Sequence, residues 1–283
     1  MRLAALAALL ALGWWLRTLQ PLNLMAAVAW PWATTTVTVY YADGSYLFPL
    51  SRRLPPGTEA PRAAVEALLA GPPAGSPLTS ALPARFGLET LDVVGRVAHL
   101  RLSGPVQALR DAPLGVPAIV ATLTRVPGIT GVALIVDEVA VTGPSARMPL
   151  LYYPSARGLV ALPTAAPDPR AALEAFLAAP SSPELTRLPA DARLLGYDFD
   201  AAEGILSLRF TYTPSVRALA LDRPDRMRFL LLGLIATLTG YAEVRAVELD
   251  FGGQSRLGLG ECSDLLRTPQ PRPSLLNDER LIR

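Results

Sequence analysis

The sequence predicts an α/β (α+β) chain of two tandem similar modules, each a small mixed sheet with two helices packed on one face. Three observations predict it. The stretch PRAAVEALLAGP (61–72) returns as PRAALEAFLAAP (169–180), identical at nine of twelve positions. Each copy follows a segment that alternates and is rich in β-branched and aromatic residues, the signature of a strand. And the 283 residues repeat one element order, β-β-α-β-β-α-β, which a sheet with helices on one face buries. A chain of this length holds about two ordinary domains.

The opening strand of the first copy is TTTVTVYYA (34–42), and MPLLYYPS (148–155) is its partner, so Tyr40-Tyr41 matches Tyr152-Tyr153. Asp43-Gly44 predicts a turn into SYLFPLSR, a place that GLVALPT fills in copy two. In the repeated helix, Pro61 and Pro169 suit the first helical position, where a missing N–H costs nothing. Asp168 can cap the second copy. Val65, Leu68 and Leu69 form one face, reproduced by Leu173, Phe176 and Leu177. Each such side chain stabilises by about 1.5–3 kcal/mol when buried. Arg62/Glu66 and Arg170/Glu174 are i, i+4 pairs on the wet side. Pro72 and Pro180 end the element by disfavouring helix in the residue before them.

Next comes a hairpin in each copy, LETLDVVGRVAHLRLS and ARLLGYDFDAAEGILSLRFT, with turns at Gly95 and Glu203-Gly204. The second helix is expected over 116–125 and 227–239, both containing ATLT. The apolar run 229–238 is too short to span a bilayer and reads as a buried helix. GVALIVD and VRAVELD close the copies. The predicted domains are 34–140 and 147–252, joined by a linker short enough for the modules to touch. Periodicity stops after Gly253, and the Pro-rich, polar 253–283 is expected to be a flexible tail.

Residues 1–33 read as a signal peptide or membrane anchor: Arg2, then an apolar run over 3–16, then a second apolar patch containing Ala27-Val28-Ala29. Trp14, Trp15, Trp30 and Trp32 suit a membrane interface. The expected location is therefore extracytoplasmic, membrane-anchored or secreted. The net charge is only +2, every basic residue is arginine apart from the single histidine, and the arginines are scattered. No stripe for phosphates is formed, which argues against nucleic acid as a partner. The lone Cys262 excludes an internal disulfide framework and a cysteine-built zinc site.

Taken together, the Tyr-rich opening strand, EALLAGP, a Leu-Pro step at Leu82-Pro83, the helix ending ATLT and PGITGVALIVD resemble the GerMN domain, the sporulation and spore germination family. The resemblance covers about residues 34–252, as a tandem of two. Copy two departs from the pattern, since GYAEVRAVELD lacks the Pro-Gly turn, and neither copy has the family's glycine after the final Asp. The resemblance implies an extracytoplasmic, membrane-tethered protein of the bacterial envelope. It carries over no catalytic residue, and the absence of a cysteine near the N-terminus departs from a lipid-anchored relative.

Outside the repeat, the candidate chemistry is sparse. His99 in VAHLRLS shares a strand face with Val97 and Arg101, and no G-x-S-x-G or H-E-x-x-H motif supplies it with a partner. It reads as a surface histidine. Cys262 in the expected tail reads as an incidental thiol. Asp137 and Asp250 stand at matching strand ends, one per module, where turn or cap roles explain them better than paired acid–base work. Asp198 and Asp200 alternate on a solvated strand face. No catalytic residue, cofactor or metal site is therefore assigned.

The expected function is non-catalytic: an envelope protein with tandem interaction modules facing another envelope protein or the cell wall, in cell-wall or sporulation- and germination-related assembly, with N-terminal membrane contact. The alternative is a small-ligand or glycan-binding module, with a cleft between the copies whose candidate binding surface is Tyr40, Tyr41, Tyr152 and Tyr153.

Overall fold

The computed structural model describes residues 35–83, 85–146, 148–178, 182–252 and 259–279. The signal or anchor expected in 1–33 lies outside the described residues, as does Pro180.

Strands β1 (Thr35–Asp43) and β2 (Tyr46–Leu54) pair antiparallel around a two-residue turn. Gly44 takes φ +60° there, as a tight hairpin demands, so the turn expected at Asp43-Gly44 is present. Helix α1 (Ala60–Ala70) has proline in its first turn and buries Val65 and Leu68. Arg62 and Glu66 pair at 2.8 Å on its exposed side. Strands β3 (Gly87–Val94) and β4 (Val97–Ser103) turn at Gly95. Helices α2 (Val106–Asp111) and α3 (Gly115–Thr124) lead to β5 (Gly131–Val136) and β6 (Val139–Ala146).

Module two repeats the plan with β7 (Leu150–Pro154), β8 (Leu159–Pro163) and α4 (Pro169–Ala178). Asp168 caps α4 by accepting from the Ala171 amide at 2.8 Å. Then come β9 (Leu194–Asp200), β10 (Ile205–Phe210), α5 (Pro214–Asp222), α6 (Pro224–Leu238) and β11 (Ala246–Phe251). The tandem α/β plan holds, with one helix more per copy than the sequence pattern predicts. The extra α5 carries a readable start: Thr213 accepts from the Val216 amide at 3.2 Å and Pro214 opens the helix.

Each module has its own small mixed sheet. In module one the order is β3-β4-β5-β6, with only the β4–β5 pair parallel. In module two, where a last short strand β12 (Gln270–Pro271) joins, it is β12-β11-β10-β9, again parallel only at β10–β11. The opening hairpins do not join these sheets. They meet each other in a third sheet, β1-β2-β8-β7, which runs across both modules. In module one α1 and α3 pack between β1 of the shared sheet and the module's own β3 and β5. In module two α6 likewise sits between β7 and β11. The physical reason lies in burial: β7 is buried at all five positions and β1 at four consecutive ones, as strands covered on both faces are.

Two further expectations are corrected. The stretch 141–146 is not a free linker, because β6 turns back at Asp137-Glu138 and pairs with β5. Both turn residues have positive φ, 43° and 64°, and Asp137 also accepts from the Gly104 amide at 3.1 Å. Nor is 259–279 a flexible tail. It forms a 3-10 helix (Gly260–Leu266) that buries Cys262, Leu265 and Leu266, and then β12 (Gln270–Pro271), which pairs with β11. It ends with Leu276 and Asn277 buried against the shared sheet. A few apolar side chains and specific hydrogen bonds hold this segment, and neither leaves a periodic mark.

Candidate functional site

The four tyrosines expected to line a cleft lie in the core. Tyr40, Tyr41, Tyr152 and Tyr153 are all 1% exposed or less, so they form no binding surface. Adjacent β-strand residues point to opposite faces, so each Tyr-Tyr step splits its two rings between different neighbours. Tyr41 sends its hydroxyl to the Ala67 carbonyl at 3.0 Å on α1, and Tyr153 donates to Phe176 at 3.0 Å on α4 while stacking on its ring at 4.7 Å. Burial pushes the Tyr41 phenol up to about 12 and the Tyr153 phenol higher still.

The other two rings converge. The Tyr40 and Tyr152 hydroxyls share a hydrogen bond of 2.6 Å across the module boundary. Arg125, directly after the first ATLT, donates to the Tyr40 oxygen at 3.3 Å, and Arg272 donates to the Tyr152 oxygen at 3.3 Å. Both guanidinium groups lie near the Tyr152 ring, 5.9 and 5.8 Å from its centroid, as cation–π pairs do. Burial raises the Tyr152 phenol, but Arg125, Arg272 and the hydrogen bond with Tyr40 together outweigh it and bring its pKa below the usual tyrosine value. For Tyr40, burial dominates and the shift is upward. Arg272 is shifted down, by burial and then by Arg125. The arrangement is a polar bolt through an apolar core.

ATLT explains how each ring is placed. The first threonine of each copy, Thr122 or Thr237, accepts from the backbone N–H of Tyr40 or Tyr152, at 3.1 and 2.9 Å. The last, Thr124 or Thr239, bonds back to the carbonyl four residues earlier. So the repeated motif pins a helix to the opening strand. It holds structure and carries no reactive group.

The other candidates are scattered. His99 is exposed on β4, opposite Asp92 of β3 and Ala133 of β5. Cys262 is buried, with its thiol 3.4 Å from the Pro224 carbonyl, and burial pushes it up to about 11. A thiol held protonated in this way is a poor nucleophile. Asp198 and Asp250 lie on the outer side of the second mixed sheet, flanking the Ser207 and Arg209 positions of β10. Among the described residues, no three His, Cys, Asp or Glu side chains group as metal ligands. Sequence reasoning missed a cleft of about 600 Å³ at the hairpin tips, lined by Asp43, Tyr46, Ser155, Arg157 and Glu184, in which Arg157 pairs with Asp43 at 2.5 Å.

The outer face of each mixed sheet is also exposed. On β4 it carries His99, with Arg101 reaching Glu138 at 2.8 Å. On β10 and β11 it carries Arg209, Ser207 and Glu248, the latter two bonded at 2.9 Å.

A family model described as sporulation and spore germination matches residues 38–142 and again 150–256. No curated protein matches the chain. Among solved structures, the tandem GerMN domains of the sporulation protein GerM from Bacillus subtilis are similar in fold, with a TM-score of 0.61 and 18% identity over 87% of this chain and 99% of that one. The first GerMN domain of the same protein aligns at a TM-score of 0.30 and 21% identity, over 40% of this chain and 93% of that one. A putative lipoprotein from Clostridium perfringens aligns at 0.26 and 18%, over 47% and 87%.

Proposed function

Since the chain belongs to the sporulation and spore germination (GerMN) family, with the domain present twice, we propose that it is a non-catalytic protein of the bacterial cell envelope whose tandem modules form one binding body. One observation carries this reading. The apolar residues and threonines that the two copies share are mostly buried in the core and at the junction between modules, which leaves the outer faces of the two mixed sheets as broad open surfaces. Those faces carry His99 and Arg101 in one module and Ser207, Arg209 and Glu248 in the other. They are broad and polar, and the second holds an open cleft of about 580 Å³ lined by Asp198, Ser207, Arg209, Glu248 and Asp250; such faces suit another protein or cell wall in an assembly related to sporulation, germination or wall growth.

Arg2 and the apolar run over 3–16 support placement outside the cytoplasm. No helix of the described residues is long and apolar enough to cross a membrane. Two measurements test the proposal. A reporter that works only outside the cytoplasm, fused after Arg283, is expected to be active, and activity confined to the cytosol would refute it. A photo-crosslinking residue at position 99 or 209 is expected to capture a defined envelope protein or wall fragment in living cells, while the same residue at exposed position 62 on α1 is not. Equal capture from all three positions would remove the sheet faces as the binding surface.

A further inference from the structure

The seam of the shared sheet is incomplete where its two hairpins meet. Strands β2 and β8 pair directly only at Leu47↔Ala161. Antiparallel register brings Pro49 opposite Leu159 two residues further on. Pro49 has no N–H, so the ladder cannot continue there. The side chain of Asn277 takes over. Its Nδ2 donates to the Pro49 carbonyl at 2.7 Å and to the Leu159 carbonyl at 2.8 Å, and its Oδ1 accepts from the Leu159 amide at 2.9 Å. One carboxamide thus supplies both the donor that proline lacks and an acceptor for the facing strand. Only glutamine shares this carboxamide, and it sets it on a longer stem.

The neighbouring residues extend the contact along β2. The Ser51 amide donates to the Asn277 carbonyl at 2.7 Å, and the Leu276 amide donates to the Ser51 hydroxyl at 3.2 Å. Arg52 grips Glu279 through two bonds of 2.8 and 3.0 Å. Gly158 makes the room: a Cβ there would stand 2.4 Å from Asn277 Oδ1, and its φ of +145° suits glycine alone. From residue 270 to 279 only one apolar side chain, Leu276, is buried. Beyond Arg272, which belongs to the polar bolt, residues 275–279 are held mainly by directional polar bonds and the Arg52–Glu279 pair.

We propose that residues 275–279 are a reversible clasp, seated in an asparagine-reading slot between β2 and β8, which opens while both modules remain folded. When the clasp leaves, the slot offers the Ser51 and Leu159 amides and the Pro49 and Leu159 carbonyls to an extended segment bearing Leu-Asn. The clasp is the chain's own occupant of that peptide site.

The test uses the full chain. Asn277→Ala removes the carboxamide, and Gly158→Ala blocks its seat while leaving the asparagine in place. In either variant, hydrogen exchange at the Ser51 and Leu159 amides should accelerate by roughly 100-fold, the loss of about three net hydrogen bonds. Amides within β4 and β10 should stay protected. A peptide of residues 274–283 should restore protection of Ser51 and Leu159 in the Asn277→Ala protein, and the same peptide with alanine for asparagine should not. Exchange that rises equally throughout the molecule would overturn the proposal, because the segment would then be an inseparable part of one core. So would a wild-type peptide that restores nothing, because the slot would then recognise no segment in trans.

Discussion

Leu68 and His99 differ most plainly in what surrounds them. Leu68 is 1% exposed beneath β1, whereas His99 stands on an uncovered sheet face. Leu68→Ala is expected to cost about 2–5 kcal/mol in a denaturant titration, the usual price of a core cavity. His99→Ala should stay within about 0.5 kcal/mol. Equal shifts for the two would mean that the helix face has been misassigned. The buried phenols make a second residue-level prediction. Burial lifts Tyr41 from an ordinary 10.0 to about 12, and Tyr241 likewise to about 12. Between pH 10 and 12 the unfolded chain therefore loses these protons before the folded one. The folded state binds more protons in that window, so stability falls as pH rises through it. Unfolding free energies measured at intervals from pH 9 to 12 should be flat at first and then decline, and Tyr41→Phe should shallow the decline. An unchanged slope in that variant would show that Tyr41 ionises equally in both states.

At the scale of elements, the close approach of α6 to β7 is decisive. A Cβ at Gly233 would stand 2.4 Å from the Tyr152 carbonyl oxygen, which is backbone and cannot swing aside. Gly233→Ala should force the helix off the strand and destabilise by about 1–3 kcal/mol, despite alanine's better helix propensity. A melting temperature at or above that of the parent would contradict this packing. Most elements were legible before their positions were known. The Asp43-Gly44 turn, the proline-led helices and the ATLT helices all depend on neighbours within a few residues. The shared sheet was not legible in the same way. Leu47 and Ala161 meet across more than a hundred residues, and a single pairing leaves no local pattern. The tyrosines were misplaced for a related reason. A Tyr-Tyr step fits a lined cleft as well as a doubly covered strand, and only the fully buried setting of β7, Leu-Leu-Tyr-Tyr-Pro, separates the two. Asn277 left no mark at all, because its partners are backbone groups of distant strands.

For the whole molecule, the consequence of the shared sheet is cooperativity. Neither hairpin has a complete set of neighbours without the other, and the Tyr40–Tyr152 bond adds a buried tie. Thermal unfolding of the full chain should be one transition, with calorimetric and van't Hoff enthalpies in agreement. Two resolved transitions would show that the modules melt as independent bodies.

The order β1-β2-β8-β7 reads the same from either edge, since β1 corresponds to β7 and β2 to β8. This is the pattern of an isologous dimer, in which one strand pairs with its own copy across a two-fold axis. Here both halves are encoded on one polypeptide, so the axis is approximate and the two sides are free to differ. They do differ at the polar bolt. The residue after ATLT is Arg125 in the first half and Gly240 in the second, and the cation on the second side comes instead from Arg272, outside the repeat. A true homodimer would have had to place two identical arginines on its axis. Fusion into one chain relaxes that constraint, so the two halves of this body can diverge in sequence while the four-stranded sheet that joins them is kept.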